Sequence, residues 1–217
     1  MFELRNLTKS YLTARGRRYV FRNISLVIPP DRNIGLIGRN GSGKTTLMRL
    51  LGGADTADSG KVITDKNISW PVGLSGGFQG SLTGRDNVKF VCRVHGATGD
   101  LMREKIAYVE DFAEIGRWFD EPFRTYSSGM RSRLAFGMSM AFNFDYYLID
   151  EVMAVGDAHF RRKSTEAFST RLKTSKVILV SHSMAQIQKL CDIVILLRDG
   201  KPYIYEDVRE GIKAYQT

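Results

Sequence analysis

The run from Gly38 to Thr45, Gly-Arg-Asn-Gly-Ser-Gly-Lys-Thr, constrains this 217-residue chain more than any other stretch. An apolar segment, 33–38, precedes it, and the apolar residues that follow Thr45 recur at helical spacing. Between a strand and a helix, a glycine-rich loop can point backbone N–H groups at one anion, and the first turn of the helix adds unpaired donors. The run therefore predicts a phosphate-binding loop.

Two side chains of this loop carry specific chemistry. Lys44 supplies a positive charge for the β- and γ-phosphates of a nucleotide, and Thr45 supplies a hydroxyl that can ligate Mg²⁺. The alternative is a glycine-rich turn with an incidental lysine. We predict that the nucleotide contacts these residues of the loop and the following helix: Gly38, Asn40, Gly41, Ser42, Gly43, Lys44, Thr45 and Thr46.

An acidic pair, Asp150 and Glu151, follows the apolar segment Tyr-Tyr-Leu-Ile at 146–149. Asp150 would hold Mg²⁺, usually through water. A glutamate has an ordinary pKa of about 4.3, so Glu151 would be ionised at pH 7 and able to orient and deprotonate an attacking water. The alternative is an acidic turn at the end of a strand, or a helix cap.

A histidine stands at the end of another apolar segment, 177–180, in the sequence Ser181-His182-Ser183. The carboxyl ends of strands are where α/β sheets gather ligands. His182 could therefore hydrogen-bond the γ-phosphate and the attacking water. A lone histidine is more often structural, and both interpretations stay open.

The wider pattern indicates one α/β domain. Alternating apolar and polar residues in 2–7, 19–21 and 24–28 predict antiparallel strands, and the segment 83–142 has helical patterns. The apolar runs 146–149, 177–180 and 193–197 are typical of parallel strands buried on both faces. We predict a parallel-sheet core with an N-terminal β-subdomain, about 1–82 and 143–217, and a helical subdomain insert, about 83–142.

Composition limits the class of protein. The chain is 43% hydrophobic and 25% charged, as soluble globular proteins are, and no apolar run approaches the roughly 20 residues of a membrane-spanning helix. The N-terminus lacks a secretory signal, which predicts a cytosolic protein.

The net charge of +9 is compatible with phosphate ligands, nucleic acid or an anionic membrane surface, and it does not distinguish among them. We interpret the short basic groups 15–18 and 161–163 as solvated surface, with a headgroup or partner contact as the alternative.

In order along the chain, the loop, the Asp150-Glu151 pair and His182 resemble the Walker A, Walker B and switch-histidine motifs of ABC ATPases, which have a P-loop NTPase (RecA-like) fold. The resemblance covers nearly the whole chain. The segment 125–131, Thr-Tyr-Ser-Ser-Gly-Met-Arg, stands where that family has its signature, normally Leu-Ser-Gly-Gly-Gln. Here the second and fourth signature residues match and the third and fifth depart. The resemblance implies that Ser127, Ser128 and Gly129 act on ATP held by a second subunit, and hence a homodimer.

The same resemblance assigns three further residues. Gln79 stands at the Q-loop position, which senses Mg²⁺ and the lytic water, so that Thr45, Gln79 and Asp150 would form the Mg²⁺ site. Tyr11 corresponds to the aromatic residue that stacks on adenine. Asp157 stands at the D-loop position, where only the aspartate matches the family's Ser-Ala-Leu-Asp.

The stretches 68–73, 77–84 and 151–160, taken with 126–131, resemble the ATPase subunit of bacterial polysaccharide exporters, most closely those of capsule. This implies two copies of the chain beneath two integral membrane permease subunits, peripheral to the cytoplasmic face of the inner membrane. The complex would move a lipid-linked polysaccharide outward and act indirectly with periplasmic and outer-membrane export proteins.

Two alternatives remain. One is an ABC exporter for another cargo, such as O-antigen, teichoic acid, lipid or drug, which keeps every catalytic assignment. The other is a soluble ABC ATPase that acts on nucleic acid. Such proteins usually fuse two ATPase units or carry a long coiled coil, and the sequence has neither pattern, so we expect no nucleic-acid partner.

Overall fold

The computed structural model describes residues 2–73, 77–150 and 157–217. These residues form two compact units. The first contains 2–71, 144–150 and 174–217, and the second contains 72–73, 77–143 and 157–173. Each unit has its own secondary structure and its own core.

The first unit contains an antiparallel sheet from the start of the chain. Its strands are β1 (Phe2–Thr13), β2 (Gly16–Ile28) and β4 (Ser59–Thr64), in the order β2-β1-β4. A two-residue turn connects β1 to β2, and from that turn the register pairs Thr13 with Gly16 and Tyr11 with Arg18. The pairing of β1 with β2 then shifts by bulges closer to the N-terminus.

A six-stranded sheet forms the centre of the first unit. Five neighbouring strands are parallel and the sixth is an antiparallel edge. Across the sheet the order is β5 (Ile68–Pro71), β6 (Tyr146–Asp150), β7 (Lys176–Val180), β3 (Ile34–Gly38), β8 (Ile193–Arg198) and β9 (Lys201–Tyr205). All five residues of β3 are buried, because this strand lies between two others and is covered on both faces.

Three helices complete the first unit: α1 (Lys44–Leu51), α6 (Met184–Leu190) and α7 (Val208–Gln216). The buried face of α1, with Leu47 and Met48, shares one core with Phe2 and Phe21 of the antiparallel sheet and with the central parallel strands. The helix that follows the phosphate loop is therefore anchored by two sheets.

The second unit is helical. Its helices are α2 (Gly84–Val94), α3 (Gly99–Ala113), α4 (Ser128–Ala141) and α5 (Ala158–Arg171), and two short 3-10 turns, Gly116–Asp120 and Phe123–Thr125, lie between α3 and α4. Phe112, Phe136 and Phe160 bring one ring each from α3, α4 and α5 into mutual contact. These aromatic contacts form the centre of the bundle.

The predicted α/β architecture, with a parallel-sheet core, an N-terminal antiparallel layer and a helical insert, is confirmed. The second unit contains the predicted helical segment 83–142 and also α5, and the subdomain boundaries stay a prediction. Across 2–73, 77–150 and 157–217, each helix is too short or too polar to cross a lipid bilayer.

Candidate functional site

The loop from Gly38 to Lys44 joins β3 to α1 and depends on glycine for steric reasons. Gly43 has φ +102°, and a Cβ there would lie 2.6 Å from Val20 Cγ1 and 2.7 Å from Phe21 Cζ. At Gly38, a Cβ would lie 2.6 Å from the backbone oxygen of Leu197. Both distances are shorter than those that real Cβ atoms make to their neighbours. The loop can therefore take this tight path only with glycine at these positions.

The N-terminus of α1 is open to an anion. Gly43 occupies the cap position and has no side chain to accept from the first-turn N–H groups, and the first turn contains no acidic residue. Ser42 Oγ is buried and has no hydrogen-bond partner among the described residues. The N–H groups, the helix dipole and this hydroxyl form a site that a phosphate group would satisfy.

Lys44 folds back across the loop. Its Nζ donates to the backbone oxygens of Gly38, at 2.7 Å, and Arg39, at 3.2 Å. The ammonium group is thereby held beside the loop backbone, where a phosphate bound to the loop would meet it. A lysine in this position provides a point charge without a planar hydrogen-bonding fork.

Two oxygen side chains meet beside the same helix turn. Thr45 Oγ1 in α1 lies 3.4 Å from Asp150 Oδ2 at the carboxyl end of β6. A hydroxyl and a carboxylate are hard oxygen donors of the kind that Mg²⁺ prefers, and such sites commonly use one or two protein ligands together with nucleotide phosphates. The residues present therefore fit a Mg²⁺–nucleotide complex.

A cleft of about 1260 Å³ in the first unit brings most of the predicted nucleotide-binding residues together. The loop and the start of α1 line it, as do Asp150 and His182, which lies just after β7. Tyr11 also lines the cleft. Five basic side chains add positive charge to its walls: Arg18, Arg22, Arg39, Arg198 and Lys201. A cleft with this charge attracts polyphosphate.

Tyr11 is held in the cleft wall by residues that the sequence did not identify. Its hydroxyl donates to Asp55 Oδ2 at 2.8 Å, and Lys9 Nζ donates to Asp55 Oδ1 at 2.6 Å and to the backbone oxygen of Thr56 at 2.7 Å. The Lys9 ammonium also lies 4.9 Å from the centroid of the Tyr11 ring, within cation–π range. Lys9 and Asp55 thus fix the aromatic ring that was predicted to stack on adenine.

The charges in this cluster favour each other's ionised form. The hydrogen bond to Asp55 raises the pKa of Lys9 and outweighs the opposite effect of its burial. Burial by itself would raise the pKa of Asp55, but hydrogen bonds from Lys9 and Tyr11 outweigh it and hold that pKa below its ordinary value. At neutral pH the cluster is therefore an ion pair.

Gln79 and the signature residues belong to the second unit. The backbone of Gln79 exchanges two hydrogen bonds with the Asn87 side chain, N–H to Oδ1 at 2.7 Å and Nδ2 to carbonyl at 3.1 Å, and the Gln79 side chain is exposed. Ser127 caps α4, because its Oγ accepts from the N–H of Met130 at 3.2 Å. Ser127 and Ser128 are exposed, which leaves the N-terminus of this helix accessible.

Asp157 caps α5 and also forms an ion pair. Its side chain accepts from the N–H of Phe160 at 2.9 Å and from Arg133 at 2.7 Å. The first of these hydrogen bonds is the main reason that the pKa of Asp157 is lowered. Arg133 also lies 3.5 Å from Glu114, so it joins α4 to the C-terminal end of α3 and the N-terminal end of α5.

The predicted catalytic base, Glu151, lies outside the described residues.

This geometry defines a P-loop nucleotide-binding protein. In a comparison with protein families, residues 21–154 match the ABC transporter family. The polysialic acid transport ATP-binding protein KpsT of Escherichia coli is 55% identical over all of this chain and 96% of its own length. The capsule polysaccharide export ATP-binding protein CtrD of Neisseria meningitidis serogroup B is 42% identical over all of this chain and 99% of its own length. The chain therefore belongs to the ABC transporter family, and it is an ABC-type ATPase.

A solved structure agrees with this assignment at the level of the fold. The dimeric post-hydrolysis state of the ATP-binding cassette MJ0796, bound to ADP and Pi, matches with a TM-score of 0.71 over 94% of this chain and 98% of that one. Its sequence identity is 21%, so the likeness concerns the fold. The predicted P-loop NTPase fold is confirmed.

Proposed function

We propose that this chain hydrolyses Mg²⁺–ATP in the cleft and that two copies of it power the export of a capsular polysaccharide through membrane-embedded permease subunits. The observation that carries the cargo assignment is the 55% identity, over the whole chain, with an ATP-binding protein named for polysialic acid transport. The ATPase chemistry is supported separately by the loop and the oxygen pair in the cleft.

In this proposal the triphosphate lies across the N-terminus of α1. The backbone of the loop from Gly38 to Gly43 receives the phosphate oxygens, and Lys44 neutralises charge on the β- and γ-phosphates. The Tyr11 ring stacks on adenine. The cleft supports this orientation, because Tyr11 and the loop both line it.

Thr45, Asp150 and Gln79 would hold the Mg²⁺ ion. When bound, the ion neutralises negative charge on the β- and γ-phosphates. Thr45 Oγ1 and Asp150 Oδ2 lie 3.4 Å apart, which supports a shared ion. The backbone of Gln79 is held by Asn87 and its side chain is exposed, so the side chain is accessible to a ligand.

Glu151 would accept a proton from the attacking water, and His182 would hydrogen-bond the γ-phosphate. Ser127, Ser128 and Gly129 would contact the γ-phosphate of ATP bound by a second copy of the chain, through the accessible N-terminus of α4. Asp157 would couple the two sites. The dimeric state of a cassette with the same fold supports a homodimer as the working unit.

The remaining partners follow from the cargo. Two permease subunits would provide the path across the bacterial inner membrane, with this chain peripheral on the cytoplasmic face. The lipid-linked polysaccharide and the periplasmic and outer-membrane export proteins would meet the permease. Export of another cargo is the outcome that a cellular test has to distinguish.

The catalytic part is tested with purified protein. Glu151→Gln should bind ATP with near wild-type affinity, lose nearly all turnover and accumulate an ATP-bound dimer. Lys44→Ala should weaken binding instead, because the charge facing the phosphates is removed. Steady-state phosphate release, nucleotide titration and size-exclusion chromatography measure the three effects. Wild-type turnover in Glu151→Gln would remove Glu151 as the base.

The cargo is tested in cells that make the capsule. Deletion of the gene should abolish surface capsule staining, the wild-type gene should restore it, and a gene carrying Lys44→Ala should not. An intact capsule after deletion, in a strain with no second copy, would refute capsule export. Loss of O-antigen or teichoic acid in the same strain would identify the alternative cargo.

A further inference from the structure

The hairpin of β1 and β2 brings a second functional candidate beside Tyr11. Tyr11 and Arg18 are directly paired across the two strands. Directly opposed residues project from the same face of an antiparallel pair, with Cβ atoms about 4.5–5.5 Å apart. Arg18 therefore projects from the same face as the ring predicted to stack on adenine.

The guanidinium group of Arg18 also reaches the phosphate loop. One of its terminal nitrogens is 3.8 Å from the position that a Cβ on Gly41 would occupy, and Arg18 lines the same cleft as the loop. The side chain thus extends from the strand that faces the adenine position to the loop that faces the phosphates. A bound nucleotide has its α-phosphate between these two places.

Arg18 is available for an anionic ligand. Within the described part of the chain, no carboxylate lies within ion-pair distance of it, and its side chain is exposed. The neighbouring Arg17 is exposed as well, but it lies 4.0 Å from Asp58 and is not part of the cleft wall. Two adjacent arginines in one strand point to opposite faces, which explains the difference.

We propose that Arg18 binds the α-phosphate of the nucleotide. This inference rests on the proposed function, since it needs adenine at Tyr11 and the terminal phosphates in the loop. Arginine presents several N–H donors in a planar fork, and charge-assisted hydrogen bonds to phosphate are among the stronger ones. Arg18 would contact the phosphate next to the nucleoside, whereas Lys44 is assigned to the β- and γ-phosphates.

The test is a nucleotide titration of the purified full-length protein with ATP and with ADP. Arg18→Gln should weaken both nucleotides by about tenfold and by the same factor, because both contain an α-phosphate. Arg18→Lys keeps the charge without the fork and should fall between Arg18→Gln and the wild type. Added salt should reduce the difference between Arg18→Gln and wild type, because the arginine is exposed.

Arg17→Gln is the matched control, since it removes the same charge from the adjacent position. It should bind both nucleotides within about twofold of wild type. Binding of both nucleotides to Arg18→Gln within twofold of wild type would refute the inference and leave the proposed function intact. A loss for ATP alone would refute the α-phosphate assignment. A wild-type protein that binds neither nucleotide would overturn the proposed function and this inference with it.

Discussion

Replacing Asp55 with asparagine removes the negative charge that holds Lys9 and Tyr11 in the cleft wall. The Lys9 side chain is 9% exposed and the Asp55 side chain 21%, so water replaces the lost contact poorly. A hydrogen bond between charged groups contributes about 1.5–3 kcal/mol, and asparagine keeps a neutral acceptor at the same place. We therefore expect the free energy of unfolding to fall by about 1–2 kcal/mol.

Urea unfolding followed by tryptophan fluorescence measures this loss in the unit that contains Asp55. The chain has two tryptophans, and Trp70 packs against Phe144 in the first unit while Trp118 belongs to the second. In a Trp118→Phe background the remaining fluorescence reports the first unit. With a urea dependence of about 2–3 kcal/mol per molar, the midpoint should fall by about 0.5 M.

Asp31→Asn is the control for this change. It breaks the Asp31–Lys66 pair at 3.1 Å, but the Asp31 side chain is 70% exposed, so the expected loss is below about 0.5 kcal/mol. Asp31 has φ +56°, a conformation that asparagine also tolerates. If Asp55→Asn shifts the midpoint no further than Asp31→Asn, the cluster does not stabilise the cleft wall.

The same variant has a predicted pH dependence. The folded state lowers the pKa of Asp55, so the unfolded chain takes up its proton first as the pH falls. The stabilisation is complete above the ordinary aspartate pKa of about 3.9 and is lost below it. The difference in unfolding free energy between wild type and Asp55→Asn should therefore shrink below about pH 4. A constant difference down to pH 2.5 would contradict an ionic origin.

Three further changes test the packing and one buried hydroxyl. Gly43→Ala places a methyl group where no Cβ fits and should weaken ATP binding more than tenfold in a titration; unchanged affinity would contradict the steric argument. Gly211→Ala gains about 1 kcal/mol of helix propensity, but the new Cβ would lie 2.9 Å from Val194 Cβ. We expect the free energy of unfolding in urea to fall by about 1 kcal/mol in total. A rise in that free energy would refute the argument from close packing. Tyr126→Phe loses the 2.5 Å hydrogen bond to the Trp118 carbonyl and should be about 1 kcal/mol less stable at pH 8. Burial raises the pKa of Tyr126 to about 12, so the wild-type advantage should decline between about pH 10 and 12, and a constant advantage would be inconsistent with this cause.

The part of the site that the sequence predicted is local. A strand, a glycine-rich loop and a helix follow one another within 33–51, and each is specified by its own residues. The steric requirement for glycine at Gly43 is different, because Val20 and Phe21 create it from another strand. The motif predicts where glycine occurs, and only the packed structure gives the reason at this position.

The anchoring of Tyr11 could not be predicted in this way. Asp55 is 44 residues from Tyr11 in the chain, and an aspartate in a polar segment has no pattern that identifies its partner. The sequence pattern places Arg18 in a short basic group, 15–18, which is typical of solvated surface. Its position opposite Tyr11 depends on a two-residue turn that lacks a strong Asn-Gly or Asp-Gly signal, and bulges shift the register beyond it. A prediction of this pairing from strand alternation alone would have been unreliable.

The signature segment shows how a departure in sequence can leave the proposed chemistry in place. Ser127 Oγ accepts from the N–H of Met130, a contact that uses the backbone and is independent of the side chain at 130. A hydroxyl that accepts one hydrogen bond keeps its own proton for another acceptor, so Ser127 can cap α4 and donate to a phosphate at the same time. At Gly129, apart from its two chain neighbours and the backbone of its own helix, a Cβ would have Ser127 Oγ, 3.9 Å away, as its only neighbour within 4 Å among the described residues. Since the fold itself leaves space there, a ligand that approaches the helix end is a better reason for glycine than internal packing, which supports the role proposed for this segment.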